Sequence, residues 1–218
     1  MFHYFYLFIY FCAQINAIYR PKLSQIRALN YGLKNGWSKP FLIFIRVTQH
    51  FTIFSQLLLI ISLFTGLNEI VCSAQILETL VLILYHTMIQ RPTLLAYHEE
   101  FEYNILDIVT SYKIPNPRQR FKLFILWTML QIQHTMGPLH LFLFKRHKHI
   151  ETYISPATYL LAFYGLWSFF CWYVQGHPVY PFQKTLRRAG FLYEILFYGS
   201  VLLLCQLLNY ILIYYDNL

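Results

Sequence analysis

The sequence predicts an all-α fold, a polytopic transmembrane helical bundle of about six spans in one integral membrane domain covering residues 1–218. Three observations carry this. Only 12% of residues are charged, against ~25% in soluble domains, while 57% are hydrophobic and the mean hydropathy is +0.43. The apolar residues form unbroken runs, such as FYLFIYF, QLLLIISLF and SVLLLCQLL, without the alternation of an outer-membrane barrel strand. The charges cluster between these runs, as they do in loops that flank membrane spans. That placement argues against a nucleic-acid partner as the reason for the net charge of +8.

The candidate spans lie at roughly 2–19, 41–66, 70–89, 121–144, 154–175 and 190–215. Each is long enough for a ~30 Å hydrocarbon core at ~1.5 Å per residue. The first lacks a basic region before it, and Ile15-Asn16-Ala17 is a poor cleavage signature, which favours a retained helix over a signal peptide. A basic loop follows, with Arg20, Lys22, Arg27, Lys34 and Lys39. Spans two and three are joined by the tight turn at Gly66-Leu67-Asn68-Glu69. The 90–120 segment holds HEEFEYNILD, read as a short interfacial helix, and IPNPRQR, whose two prolines end any helix. The odd-numbered loops hold twelve Lys and Arg, against three in the termini and even-numbered loops. By that asymmetry the odd loops are cytosolic and both termini lie outside. The expected location is an integral membrane of the endomembrane system (endoplasmic reticulum) or the plasma membrane.

Polar residues inside spans are costly and mark functional interiors. Thr48, Thr52 and Ser55/Gln56 in span two are spaced to share one face of a continuous helix. Span four carries LQIQHTMGPLH, in which Thr128, Gln131, His134/Thr135 and Pro138 also form one stripe. Pro138 cannot donate to the carbonyl of His134, so a kink and a polar cavity are expected there. Counted along ideal helices, Thr52 lies about 16 Å past Phe41 and His134 about 20 Å past Phe121. Glu78 lies about 12 Å past Ile70, from the other face. A hydroxyl, an imidazole and a carboxylate near the midplane suit a nucleophile, its general base and a group that orients the base. Packing is the competing explanation, because Ser and Thr in such helices often bond only their own backbone.

Three blocks bear a resemblance. IQHTMGPLHLFLF, CWYVQGHPVYPF and QHFTIFSQLLL resemble, in order and separation, segments of the androgen-induced gene and androgen-dependent tissue-factor-pathway-inhibitor-regulating protein family. The resemblance implies six helices and a membrane threonine hydrolase that cleaves fatty acid esters of hydroxy fatty acids. It implies Thr52 as nucleophile, with Thr48 the alternative, and His134 as base. Glu78 falls where the family tends to have an aspartate. The sequence departs from the family pattern at Gln133 for an asparagine, Gly137 for a second histidine and Pro178 for a tryptophan. The family's basic tails imply termini inside, opposite to the loop charge count.

The expected function is therefore a carboxylic ester hydrolase of lipids. Thr52 and His134 are catalytic, Glu78, Gln133 and Gln131 support them, and the partners are the bilayer and a lipid ester. Gln131 or Gln133 is the expected oxyanion donor. No cofactor or metal is expected, since Arg146-His147-Lys148-His149 reads as a solvated interfacial loop. The four cysteines read as small buried hydrophobes. His86 and Glu194 lie within spans without an assigned role. The rival reading is a lipid-binding or signalling membrane protein of the same fold without chemistry.

Overall fold

The computed structural model describes residues 23–89 and 152–217, together with Pro117, Arg118, Phe121, Phe124, Ile125, Thr128, His134, Thr135, Gly137, Pro138 and Leu139. Every regular element among them is helical. The helices are α1 (Leu23–Lys34), α2 (Lys39–Thr48), α3 (Phe51–Thr65), α4 (Asn68–Leu84), α5 (Pro156–Gln175), α6 (Pro181–Ala189) and α7 (Phe191–Asp216). A π-helical turn, Tyr85–Ile89, extends α4. The described positions from Pro117 to Leu139 are each helical as well. The expected first span, at 2–19, and the 90–116 segment lie outside the described residues.

Local chemistry sets the ends. Ser155 caps α5, its hydroxyl accepting from the Thr158 N–H at 3.2 Å, and Pro156 follows where a missing N–H costs nothing. Gly176 ends α5 in the left-handed region, at φ +69°, a conformation that favours glycine. A Cβ there would also overlap the ring of Tyr31, so α1 rests directly on this turn.

The centre of the bundle is α4. Its residues from Val71 to Glu78 are buried without interruption, which puts every face of the helix against protein. Ile76, Leu77, Leu80 and Val81 pack with Ala157 and Leu161 of α5 and with Cys205, Leu208 and Leu212 of α7. Phe51, at the start of α3, closes this core. The outer faces of α5 and α7 are different. Phe163, Leu166, Tyr173, Leu192, Leu203 and Leu207 are exposed there, an apolar face of the kind that marks a membrane or partner surface. Cys72, Cys171 and Cys205 are buried.

Three helical stretches, Asn68–Thr87, Pro156–Gln175 and Phe191–Asp216, are long and apolar enough to cross a membrane. They match the expected spans at 70–89, 154–175 and 190–215. The expected span at 41–66 is not one helix. It is α2 and α3, bent by 81° at Gln49 and His50, and it adds a fourth crossing only when both halves are counted together. The described residues thus carry three or four candidate spans, fewer than six.

The break has a physical cause. Leaving the helix at Gln49 and His50 strands backbone groups that three side chains then satisfy. Trp167 Nε1 donates to the Thr48 carbonyl at 3.2 Å, and the Tyr164 hydroxyl donates to the Gln49 carbonyl. The Phe51 N–H donates to the Tyr180 hydroxyl at 2.6 Å. Each buried backbone group left unpaired would cost about 1–3 kcal/mol, so these contacts stabilise an angle the sequence alone does not announce. Tyr180 is itself held: its N–H donates to Gln183 Oε1 at 2.9 Å, and Gln183 Nε2 donates to the Tyr198 hydroxyl at 2.8 Å.

Candidate active site

The break sets Thr52 at the second position of a new helix. His50 is extended at the N-cap of α3, and its carbonyl accepts the N–H groups of Ile53 and Phe54 at 3.0 and 3.1 Å. The Phe51 N–H is taken by Tyr180. The Thr52 N–H is the remaining first-turn donor and has no acceptor among the described residues. Thr52 therefore presents a hydroxyl and an N–H at the positive end of a helix dipole. Counted from Thr65 at the other end of α3, it lies about 20 Å deep.

The Thr52 hydroxyl lies 3.1 Å from Nε2 of His134, within hydrogen-bond distance. His134 is 8% exposed and Thr52 is half-buried. The ring is fixed from α4. Tyr85 stacks on it, with centroids 3.8 Å apart and planes 8° from parallel. The next residue, His86, places Nε2 3.2 Å from the hydroxyl of Thr135, the neighbour of His134. Two adjacent residues of one helix thus grip two adjacent residues of another. Both gripping residues lie in the π turn, whose wider winding changes the direction of side chains relative to the α-helix before it.

Glu78 sits in the same interior, fully buried. Neither of its carboxyl oxygens has a hydrogen-bond partner among the described residues. It packs against Gly137, three positions after His134, and a Cβ on Gly137 would overlap its carboxyl. Glu78, expected as a supporting residue, thus lies beside the helix that carries His134, at Gly137, while Tyr85 stacks on the ring itself. Ser55, also fully buried, donates to the Thr52 carbonyl at 2.9 Å.

Thr48, the alternative nucleophile, is on the other side of the break. Its hydroxyl donates to the Phe44 carbonyl at 2.9 Å, the back-bond that Thr makes in an ordinary helix. The expected stripe of Thr48, Thr52 and Ser55/Gln56 is therefore split, because it required an unbroken helix. Gln131 and Gln133 lie outside the described residues. Thr128, expected in the polar stripe, donates to its own helix at Phe124. Glu194 accepts from Arg187 at 2.8 Å, an ion pair that spans the turn between α6 and α7. Arg187 also stacks over Trp172 at 4.7 Å.

Sequence reasoning missed Tyr85, Tyr164, Tyr180 and the pairing of His86. Only His86 carried a signal, as an ionisable residue inside a span. The tyrosines were masked by their number, nineteen in all, most of which read equally well as interface residues. Among the described residues, no three His, Cys, Asp or Glu side chains gather as metal ligands would.

Compared with protein-family models, curated proteins and solved structures, the chain matches none.

Proposed function

We propose that this protein is a membrane-embedded hydrolase of lipid esters, with Thr52 as nucleophile and His134 as general base. The observation that carries the reading is the 3.1 Å contact between the Thr52 hydroxyl and His134 Nε2, made deep in an apolar bundle by residues 82 positions apart. In this reading Nδ1 carries the ring proton and Nε2 accepts the Thr52 proton. The Thr52 oxygen then bonds to the acyl carbon and the alcohol leaves with the proton from His134. Water deacylates the threonine ester with His134 again as base. The Thr52 N–H and the start of the α3 dipole stabilise the oxyanion, a role the nucleophile's own amide also fills in serine hydrolases. Tyr85 holds the ring in plane for both half-reactions.

The resemblance to the androgen-induced gene family supports fatty acid esters of hydroxy fatty acids as the substrate class. It also supports a six-span bundle, which counts 2–19 and 121–144 as crossings, in the endoplasmic reticulum or plasma membrane. The apolar outer faces of α5 and α7 fit a substrate that arrives from the bilayer.

The test is hydrolysis of a branched fatty ester by purified protein. Thr52→Ala and His134→Ala each lower kcat/KM by about 100-fold or more, while Thr48→Ala stays within about twofold of the parent. Turnover in Thr52→Ala equal to the parent removes the assignment.

A further inference from the structure

A second polar site lies at the other end of α3. The first turns of α4 and α5 meet the last turns of α7 around a cavity of about 50 Å³. One water needs roughly 10–15 Å³ of such space, so the cavity has room for a polar group of several atoms. Asn209 lines it and is 3% exposed, and its Nδ2 has no hydrogen-bond partner among the described residues. Thr152 lines it too, and its Oγ1 is likewise buried and unpartnered. Buried donors are normally satisfied, so two in one pit call for an acceptor oxygen. Glu69 and Ser73, on the same walls, offer acceptors. The Glu69 carboxylate opposes an anionic guest and favours an uncharged one carrying hydroxyls.

The pit continues outward. Glu69, Ser73 and Pro156 also line an open groove of about 330 Å³, whose remaining walls are Leu58, Ile70, Tyr159 and Leu160. A polar end joined to an apolar trough has the shape of an amphiphile. The level is also right, because Tyr153, Tyr159, Tyr214 and Tyr215 are exposed around this end, as in the aromatic belt at lipid headgroups.

We propose that this pit and groove bind an uncharged single-chain lipid of the monoacylglycerol class. Its glycerol hydroxyls accept from Asn209 and Thr152 and donate to Glu69, its ester carbonyl accepts from Ser73 where pit and groove meet, and its chain lies along Leu58, Ile70 and Leu160. The site is separate from Thr52 and His134 and does not depend on the hydrolase reading.

The experiment uses the full chain in phosphatidylcholine nanodiscs and a diazirine-bearing monoacylglycerol. After irradiation, labelled peptides are mapped by mass spectrometry. Label is expected on the segments around Leu58–Ile70 and Pro156–Leu160, and excess unlabelled monoacylglycerol displaces it. Asn209→Leu and Leu58→Trp each reduce it by at least about fivefold, and the free fatty acid with the same diazirine labels these segments at least about fivefold less. Leu58 lines the groove and also packs against the core, so when neither variant folds, the comparison with the free fatty acid on the parent decides the matter. Label spread over the whole surface, label unchanged in Leu58→Trp, or equal labelling by the fatty acid overturns the proposal.

Discussion

The contact between Glu78 and Gly137 shows how closely single residues set this interior. A carboxyl occupies the space that a side chain at position 137 would need. Gly137→Ala is therefore expected to destabilise the protein by about 1–3 kcal/mol, as overpacking does. Glu78→Ala in the same chain relieves the overlap, so thermal unfolding of the double variant shows less than additive loss. Additive losses contradict the contact. Individual residues were partly legible in the sequence. Polar groups in an apolar span stand out because each is costly there, and that drew attention to Thr52, His134 and Glu78. Spacing gave their approximate depth. It could not tell which neighbour each side chain meets, as with Gly137 for Glu78 and Tyr85 for His134.

At the level of elements, the break between α2 and α3 determines what Thr52 can do. Without it Thr52 would be a mid-helix residue with its N–H spent on the Thr48 carbonyl. The sequence 41–66 gives no sign of a break, having neither proline nor glycine between Phe41 and Thr65. The device that makes it lies more than a hundred residues away, in Tyr164, Trp167 and Tyr180. The π turn was equally silent, because its cause is tertiary packing rather than a local motif. Burial pushes the Tyr180 phenol up to about 12, from an ordinary 10.0. Between those values the folded chain keeps a proton that the unfolded chain has lost, so stability falls as pH rises through this window, by at most ~1.4 kcal/mol per unit. Tyr180→Phe loses the hydroxyl that Phe51 bonds. It is expected to be less stable than the parent at pH 8 by about 1–3 kcal/mol, with a gap that narrows from pH 10 to 12. Thermal unfolding in detergent across that range checks it, and a gap independent of pH contradicts the clamp.

For the whole molecule, composition and unbroken apolar runs made the helical class legible at once, and three of the expected spans have their helices where the sequence puts them. The count of crossings was less legible, because an apolar stretch long enough to span can also fold back on itself. The structure puts the Gly66–Leu67 turn and the Tyr153–Ser155 segment at one end of the bundle, where α4 and α5 both begin. Cysteines introduced at Leu67 and Tyr153, both exposed, are expected to react with an impermeant maleimide from the same side of sealed vesicles, while buried Cys72, Cys171 and Cys205 stay unreactive. Labelling from opposite sides contradicts this arrangement. The central claim is that His134 activates the Thr52 hydroxyl inside that bundle. The most direct measurement is reaction of the intact protein in membranes with a fluorophosphonate, followed by mass spectrometric location of the adduct. The account predicts one adduct on Thr52, abolished in His134→Ala and preserved in Thr52→Ser. An unmodified Thr52, or an adduct that forms equally well without His134, contradicts it.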